Sequence, residues 1–176
     1  MSRGIIEIRH KQTGAVLHRI NGSTLEGADL QSVDLSEADL IGANLRSANL
    51  SGAALRRALL VLANLGRAVL SRANLEWAKA QWANLRGAVL RRSKLPQANL
   101  RGADLREADL TSADLRGANL AGTNLEYADL TDATLAQADL TQTNLDQARL
   151  AGAVYDDTTR WPGGYDPRTH GARQER

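Results

Sequence analysis

Chemistry in this chain would have to be built from three histidines and a large stock of carboxylates. His10 and His18 stand near the N-terminus and His170 near the C-terminus. None stands in the long middle of the chain. No histidine–carboxylate cluster therefore has metal-ligand spacing, and no nucleophile has a base beside it. Cysteine is absent, which removes disulfides, thiolate nucleophiles and cysteine-held metals together. Apart from Gly163-Gly164 the glycines fall singly, and no phosphate-cradling loop is built. The carboxylates recur at a fixed step that a structural role explains. The sequence reads as non-enzymatic, with no cofactor and no metal.

The elements that would position any site must come from 176 residues of unusual make-up. Apolar residues are 43 %, yet aromatics are 3 %, with no Phe and one Met. Leu and Ala carry almost all of the apolar content. A core normally mixes shapes to reach crystal-like density; two shapes imply one packing unit used many times. The start Met1-Ser2-Arg3-Gly4-Ile5-Ile6-Glu7 turns charged too soon for a secretory signal. No apolar run approaches the ~18 residues of a membrane span. The expectation is a soluble, cytoplasmic protein without a membrane partner.

Repeats decide the fold. From Leu25 to Leu150 every fifth residue is Leu, with Ala80 the one exception. Two residues before each Leu stands Ala, or a small or β-branched substitute such as Ser23, Val33, Ser93, Thr123 or Thr143. Between them is usually Asn or Asp, as in Ala103-Asp104-Leu105-Arg106-Glu107. On a helix, five residues advance the leucines by ~140° beyond a full turn, so no apolar stripe forms. In a strand, Ala and Leu share a face, but the next Ala comes after an odd step and would point outward. Both stay inside only if the chain turns a corner in every pentad. Four corners of about 90° close a square coil of ~20 residues. Stacked at ~4.8 Å, twenty-six pentads make about six and a half coils and a rod of roughly 31 Å. Each buried Leu contributes on the order of 1.5–3 kcal/mol. Asn44, Asn64, Asn84, Asn124 and Asn144 fall on one wall, where amides stack in ladders.

At these residues the chain resembles the pentapeptide-repeat family, whose motif centres on Leu or Phe with Ala two positions earlier. The resemblance runs from about Ser23 to Tyr155. It implies an all-β fold, a right-handed quadrilateral parallel β-helix. It also implies a non-catalytic protein-interaction or scaffold module. Some members of the family act on DNA gyrase, protecting it from drugs as mimics of duplex DNA, so the alternative is a topoisomerase-binding regulator. Against that alternative stand the net charge of +2, the absence of a loop interrupting the repeats, and a tail with no apolar dimerising helix. The irregular stretch from Arg56 to Lys94 argues against a consensus-designed array.

Three segments follow: an N-terminal hairpin cap over 1–22, the solenoid over 23–155, and a C-terminal cap with a flexible tail over 156–176. Ile6 and Ile8 alternate with Glu7 and Arg9, and Lys11-Gln12-Thr13-Gly14 supplies the turn. The segment from Tyr155 through Trp161-Pro162 to Tyr165-Asp166-Pro167 is similar to the ends of many bacterial, especially cyanobacterial, members. It reads as an aromatic cap with Trp161 and Tyr165 over the last coil, and a disordered end from His170.

The outward residues are where this chain leaves its own pattern. Ile41, Leu59, Val61, Leu62 and Trp82 fold onto one wall, with Trp77 at the adjoining corner. Contiguous exposed apolar surface marks an interface, so these six are the candidate contact with a protein partner or a second copy. Basic residues crowd the waist, and Arg56, Arg57, Arg72, Arg91, Arg92 and Lys94 form a candidate basic belt. Acidic residues dominate from Glu107 to Leu150, which reads either as a match for a partner of like polarity or head-to-tail association, or as a solubilising surface that drifts along the array. The belt runs round all four walls, which disfavours direct nucleic-acid binding. Ala80, between Trp77 and Trp82, leaves a volume deficit over which a Trp would fold.

Overall fold

The computed structural model describes residues 4–175. It opens with strands β1 (Ile5–His10) and β2 (Val16–Asn21) and continues with β3 (Ala38–Asp39). It ends with β4 (Val154–Tyr155), a 3-10 turn at Pro167–His170, and β5 (Arg173–Gln174). Between β2 and β4 the structure is made of single-residue parallel bridges joining residues twenty apart. The series Asp29–Asn49, Asp34–Ala54, Asp39–Leu59 and Asn44–Asn64 gives one bridge per pentad, and so four walls to each turn of the chain. Each ladder repeats down the rod. Only the last bridge, Asp139–Arg160, spans one residue more.

The pentad exists because five residues give five backbone N–H groups a partner. In Ala118–Gly122 the Ala118 N–H closes a tight turn on the Leu115 carbonyl at 3.0 Å. Asn119 donates to the Ala98 carbonyl of the preceding coil at 2.9 Å. Leu120 donates to the Asp139 carbonyl of the next coil at 2.8 Å, and Gly122 to Thr141 at 2.9 Å. The remaining donor, Ala121 N–H, is taken by the Asn119 side-chain oxygen at 3.0 Å. The same bond recurs at Gln31 to Asp29, Arg86 to Asn84 and Thr141 to Asp139. That is why Asp or Asn precedes the Leu: its short side chain accepts from the backbone two residues on. The amides also stack, with Asn84 donating to Asn64 and Asn64 to Asn44 at 3.1 and 3.3 Å.

The second corner residue of every pentad from Gly27 to Gly152 has positive φ, near +60°. Eight of these are glycine and eighteen are not. A side chain held there costs about 1–2 kcal/mol. The cost is met because each such residue is tied into a turn bond and, up to Asp132, an inter-coil bond. Inside the coils, Ala and Leu are almost fully excluded from water. Where Ser93, Thr123 and Thr143 replace Ala, their hydroxyls donate to the carbonyls of Leu90, Leu120 and Leu120. Ala80 is 2 % exposed while both neighbouring indoles lie outside. No Trp fills the deficit, because Trp77 and Trp82 occupy the positive-φ corner, where side chains point away from the core.

At the N-terminal end β1 and β2 pair antiparallel, and β1 also pairs antiparallel with β3 through Arg9–Asp39 and His10–Ala38. Ile8 is buried beneath them. At the other end Trp161 meets Tyr155 edge-on at 5.4 Å and stacks on Tyr165 at 5.6 Å. Burial pushes the Tyr165 phenol up to about 12. The end from His170, expected to be disordered, is placed as far as residue 175. Tyr165 stacks on His170, Ala172 is buried, and β5 pairs parallel with β4, adding one more rung. No helix among the described residues is long and apolar enough to cross a membrane.

Two substitutions separate core from ladder. Leu115→Ala, at a fully buried site, should cost about 2–5 kcal/mol of unfolding free energy. Asn119→Ala removes one local acceptor and should cost about 1 kcal/mol. Urea unfolding followed by circular dichroism measures both.

Candidate interaction surfaces

The six apolar candidates do not form one equal patch. Ile41, Leu62 and Trp82 are 54 %, 63 % and 60 % exposed and follow one another along a single corner. Val61 and Leu59 are half-buried beside them. Leu59 is held in the Asp39–Leu59–Lys79 ladder, so it supports the corner more than it presents it. Trp82 lies flat across Gly102, where any Cβ would collide with its ring. Trp77 sits on the preceding corner, in a different environment. Arg57, Lys79 and Lys11 surround it in a pocket of about 280 Å³, and Lys11 is fixed by donating to the Arg57 carbonyl at 2.6 Å.

Ion pairs redraw the basic belt. Arg56 pairs with Glu76 at 3.1 Å and Arg91 with Asp109. Outside the six, Arg46 pairs with Glu26, Arg86 with Glu107, Arg106 with Asp104 and Arg116 with Asp114. The acidic C-terminal half is compensated in part, with Asp129 on Arg149 and Asp139 on Arg160. Arg57, Arg72, Arg92 and Lys94 have no carboxylate within 4.0 Å among the described residues. Lys79 shares this property and was absent from the candidate belt. Its signal was in the sequence: it is a cation at a position that is mostly Asn or Asp. Arg72 and Arg92 follow one another on a corner whose furrow, of about 620 Å³, is lined with Ser51, Ser71, Thr111 and Ser112.

Among the described residues no group of three or more His, Asp or Glu is placed to hold a metal ion. The walls carry regular polar ladders in place of a convergent catalytic constellation.

The sequence pattern described as Pentapeptide repeats matches in eight copies, over 19–46, 48–87, 83–122 and 118–154. The chain belongs to the pentapeptide-repeat family. Members of this family form right-handed quadrilateral β-helices. Among solved structures, one of QnrB1, a plasmid-mediated fluoroquinolone resistance protein, is 18 % identical. The match covers 85 % of this chain and 78 % of that one with a TM-score of 0.67, a likeness of fold alone. HetL, a pentapeptide-repeat protein involved in heterocyst differentiation regulation from the cyanobacterium Nostoc, is 32 % identical over 74 % of this chain and 70 % of its own, with a TM-score of 0.31. A pentapeptide-repeat protein of the Arabidopsis thaliana thylakoid lumen is 28 % identical over 76 % and 68 %, with a TM-score of 0.36. No curated protein matches by sequence.

In this pentapeptide-repeat chain the ladder carboxylates do double duty. The Arg106 guanidinium bonded to Asp104 holds that carboxyl below its ordinary range, and Arg116 does the same for Asp114. A carboxyl whose folded value is depressed adds stability that is present above its unfolded value and lost as pH falls through the folded one. Both carboxylates are partly exposed and the Arg116 guanidinium is in solvent, so the ion-pair share is small. Asp114→Asn keeps the oxygen that accepts the Arg116 N–H but removes the titration. Stability at pH 7 should change by less than about 1 kcal/mol, while the loss between pH 5 and pH 2 becomes shallower. Thermal unfolding across pH checks this.

Proposed function

We propose that the chain is a non-catalytic interaction module whose apolar corner docks a protein partner, and whose hairpin and aromatic tail cap the two ends of the stack. The corner of Ile41, Leu62 and Trp82 carries the reading. Elsewhere the two corner residues of a pentad are mostly polar, charged or glycine, and three exposed large apolar side chains in successive coils leave that pattern. A run of this kind is disfavoured in water and is stabilised by being covered. A second copy of the chain is the first partner to test. A cysteine-free module of this type suits a reducing cytoplasm.

Gyrase regulation is the second reading, supported by a fold shared with a fluoroquinolone resistance protein. The charge pattern speaks against it. A duplex mimic needs uncompensated acidic surface, whereas here Asp104, Asp109, Asp114, Asp129 and Asp139 are each paired with an arginine. No loop interrupts the twenty-residue ladders between Asp29 and Arg149.

Sedimentation velocity over a hundred-fold concentration range should show self-association of the wild type that Leu62→Asp abolishes without lowering thermal stability. If both proteins remain monomeric and pull down the same proteins from extract, the apolar corner is not the interface. Added protein should leave gyrase supercoiling, with or without a quinolone, unchanged; protection at micromolar protein would replace the first reading with the second.

A further inference from the structure

Two features on a different side of the rod from the apolar corner point to an anionic ligand. The first is a set of backbone donors without acceptors. Val69 and Val89 stand where Asp or Asn would take the N–H two residues on. The Ser71 and Arg91 N–H groups, both lining the furrow, therefore donate to no protein oxygen among the described residues. The second is uncompensated like charge. Arg72 and Arg92 occupy successive coils of one corner, about 4.8 Å apart along the axis, and neither has a carboxylate partner. Elsewhere this corner carries Ser32, Gly52, Ser112, Asp132 and Gly152, so neither arginine is needed by the fold.

Across the adjoining wall, Lys94 also takes an Asx position, and Lys79 takes another one wall further on. Each replacement withdraws the turn acceptor, at a cost of about 1 kcal/mol. After Lys94 the chain places Pro96, which has no N–H to leave unbonded. After Lys79 the Gln81 N–H is left without an acceptor. The next corner presents Trp77, half-exposed at 49 % and flanked by Arg57 and Lys79. When compensated residues are set aside, the basic belt does not circle the rod. Most of the free charge gathers on the half that runs from Arg72 and Arg92 through Lys94 to Arg57 and Lys79, with an indole at its centre. Arg67 and Arg101, on other corners, lie outside it.

We propose that this half binds single-stranded nucleic acid. Phosphates lie along Arg72, Arg92 and the Ser71 and Arg91 amides, and a base stacks on Trp77. A basic track with an aromatic platform is the arrangement that holds a single strand without reading its sequence. An acidic polypeptide would use the charges but has no planar group for the indole, which is why a strand is favoured.

The test is fluorescence anisotropy of a labelled twenty-nucleotide oligothymidylate with the full chain, titrated between 50 and 300 mM salt. With four or five contacted phosphates, log K against log salt should fall with a slope of about −3. R72S/R92S, which restores the small residues of that corner, should reduce the slope by about 1.4. W77Q, which installs the residue found at positions 97 and 137 of the same corner, should weaken binding about five- to a hundred-fold with the slope unchanged. Both variants must keep the wild-type unfolding midpoint, and each uses a residue that its own corner already carries. Absence of binding at 50 mM salt overturns the proposal. So does equal affinity for polyglutamate, which would make the face a site for acidic protein, or tighter binding of duplex than of single strand. A W77Q variant that binds as wild type removes the stacking platform and with it the case for a strand.

Discussion

A backbone that stacks on itself at one strand spacing has little room and five donors to place in every five residues. Everything else in this protein follows from how those donors are satisfied. Three go to neighbouring coils and one closes a turn. The fifth has no backbone acceptor within reach and falls to the side chain before Leu. The wall position is thereby biased to Asp or Asn, the inside to Leu and Ala, and the second corner residue is held in a left-handed backbone. Only the corner side chains are left to vary freely.

This division explains what was legible in the sequence. The Leu period, the odd step to the next Ala and the closure of four corners follow from residue types alone, and the bridges twenty residues apart repeat them in space. The family pattern matches the same span. The left-handed corners were only partly legible: the repeat glycines other than Gly66 all stand there, but Arg, Gln, Trp and Glu together occupy them more often than Gly does. Nor was the placement of the C-terminal end. Gly171-Ala172-Arg173 reads as a polar tail, yet Ala172 continues the column of buried alanines once β5 is laid on β4.

Formal charge misled most where side chains reach between coils. Counting cations along the chain gives a belt round all four walls. In space, carboxylates eighteen to twenty-one residues away, or two residues away on the same wall, remove many of them. What remains is set by which Asx positions were given up. Val69, Lys79, Val89 and Lys94, four of the departures from the pattern, surround the uncompensated arginines. In a repeat protein the informative residue is the one that breaks a local rule without repairing anything nearby.

The pairing of β1 with β3 bears on more than the first coil. A stack of identical parallel rungs has no intrinsic length, and a bare terminal rung offers the next molecule the same row of donors and acceptors that the next coil would use. Where β1 runs antiparallel across that row at Asp39 and Ala38, with β2 paired on its far side, the parallel pattern gives way to one that no parallel coil continues. A second rod approaching this end would meet, at that wall, an antiparallel hairpin in place of a parallel rung.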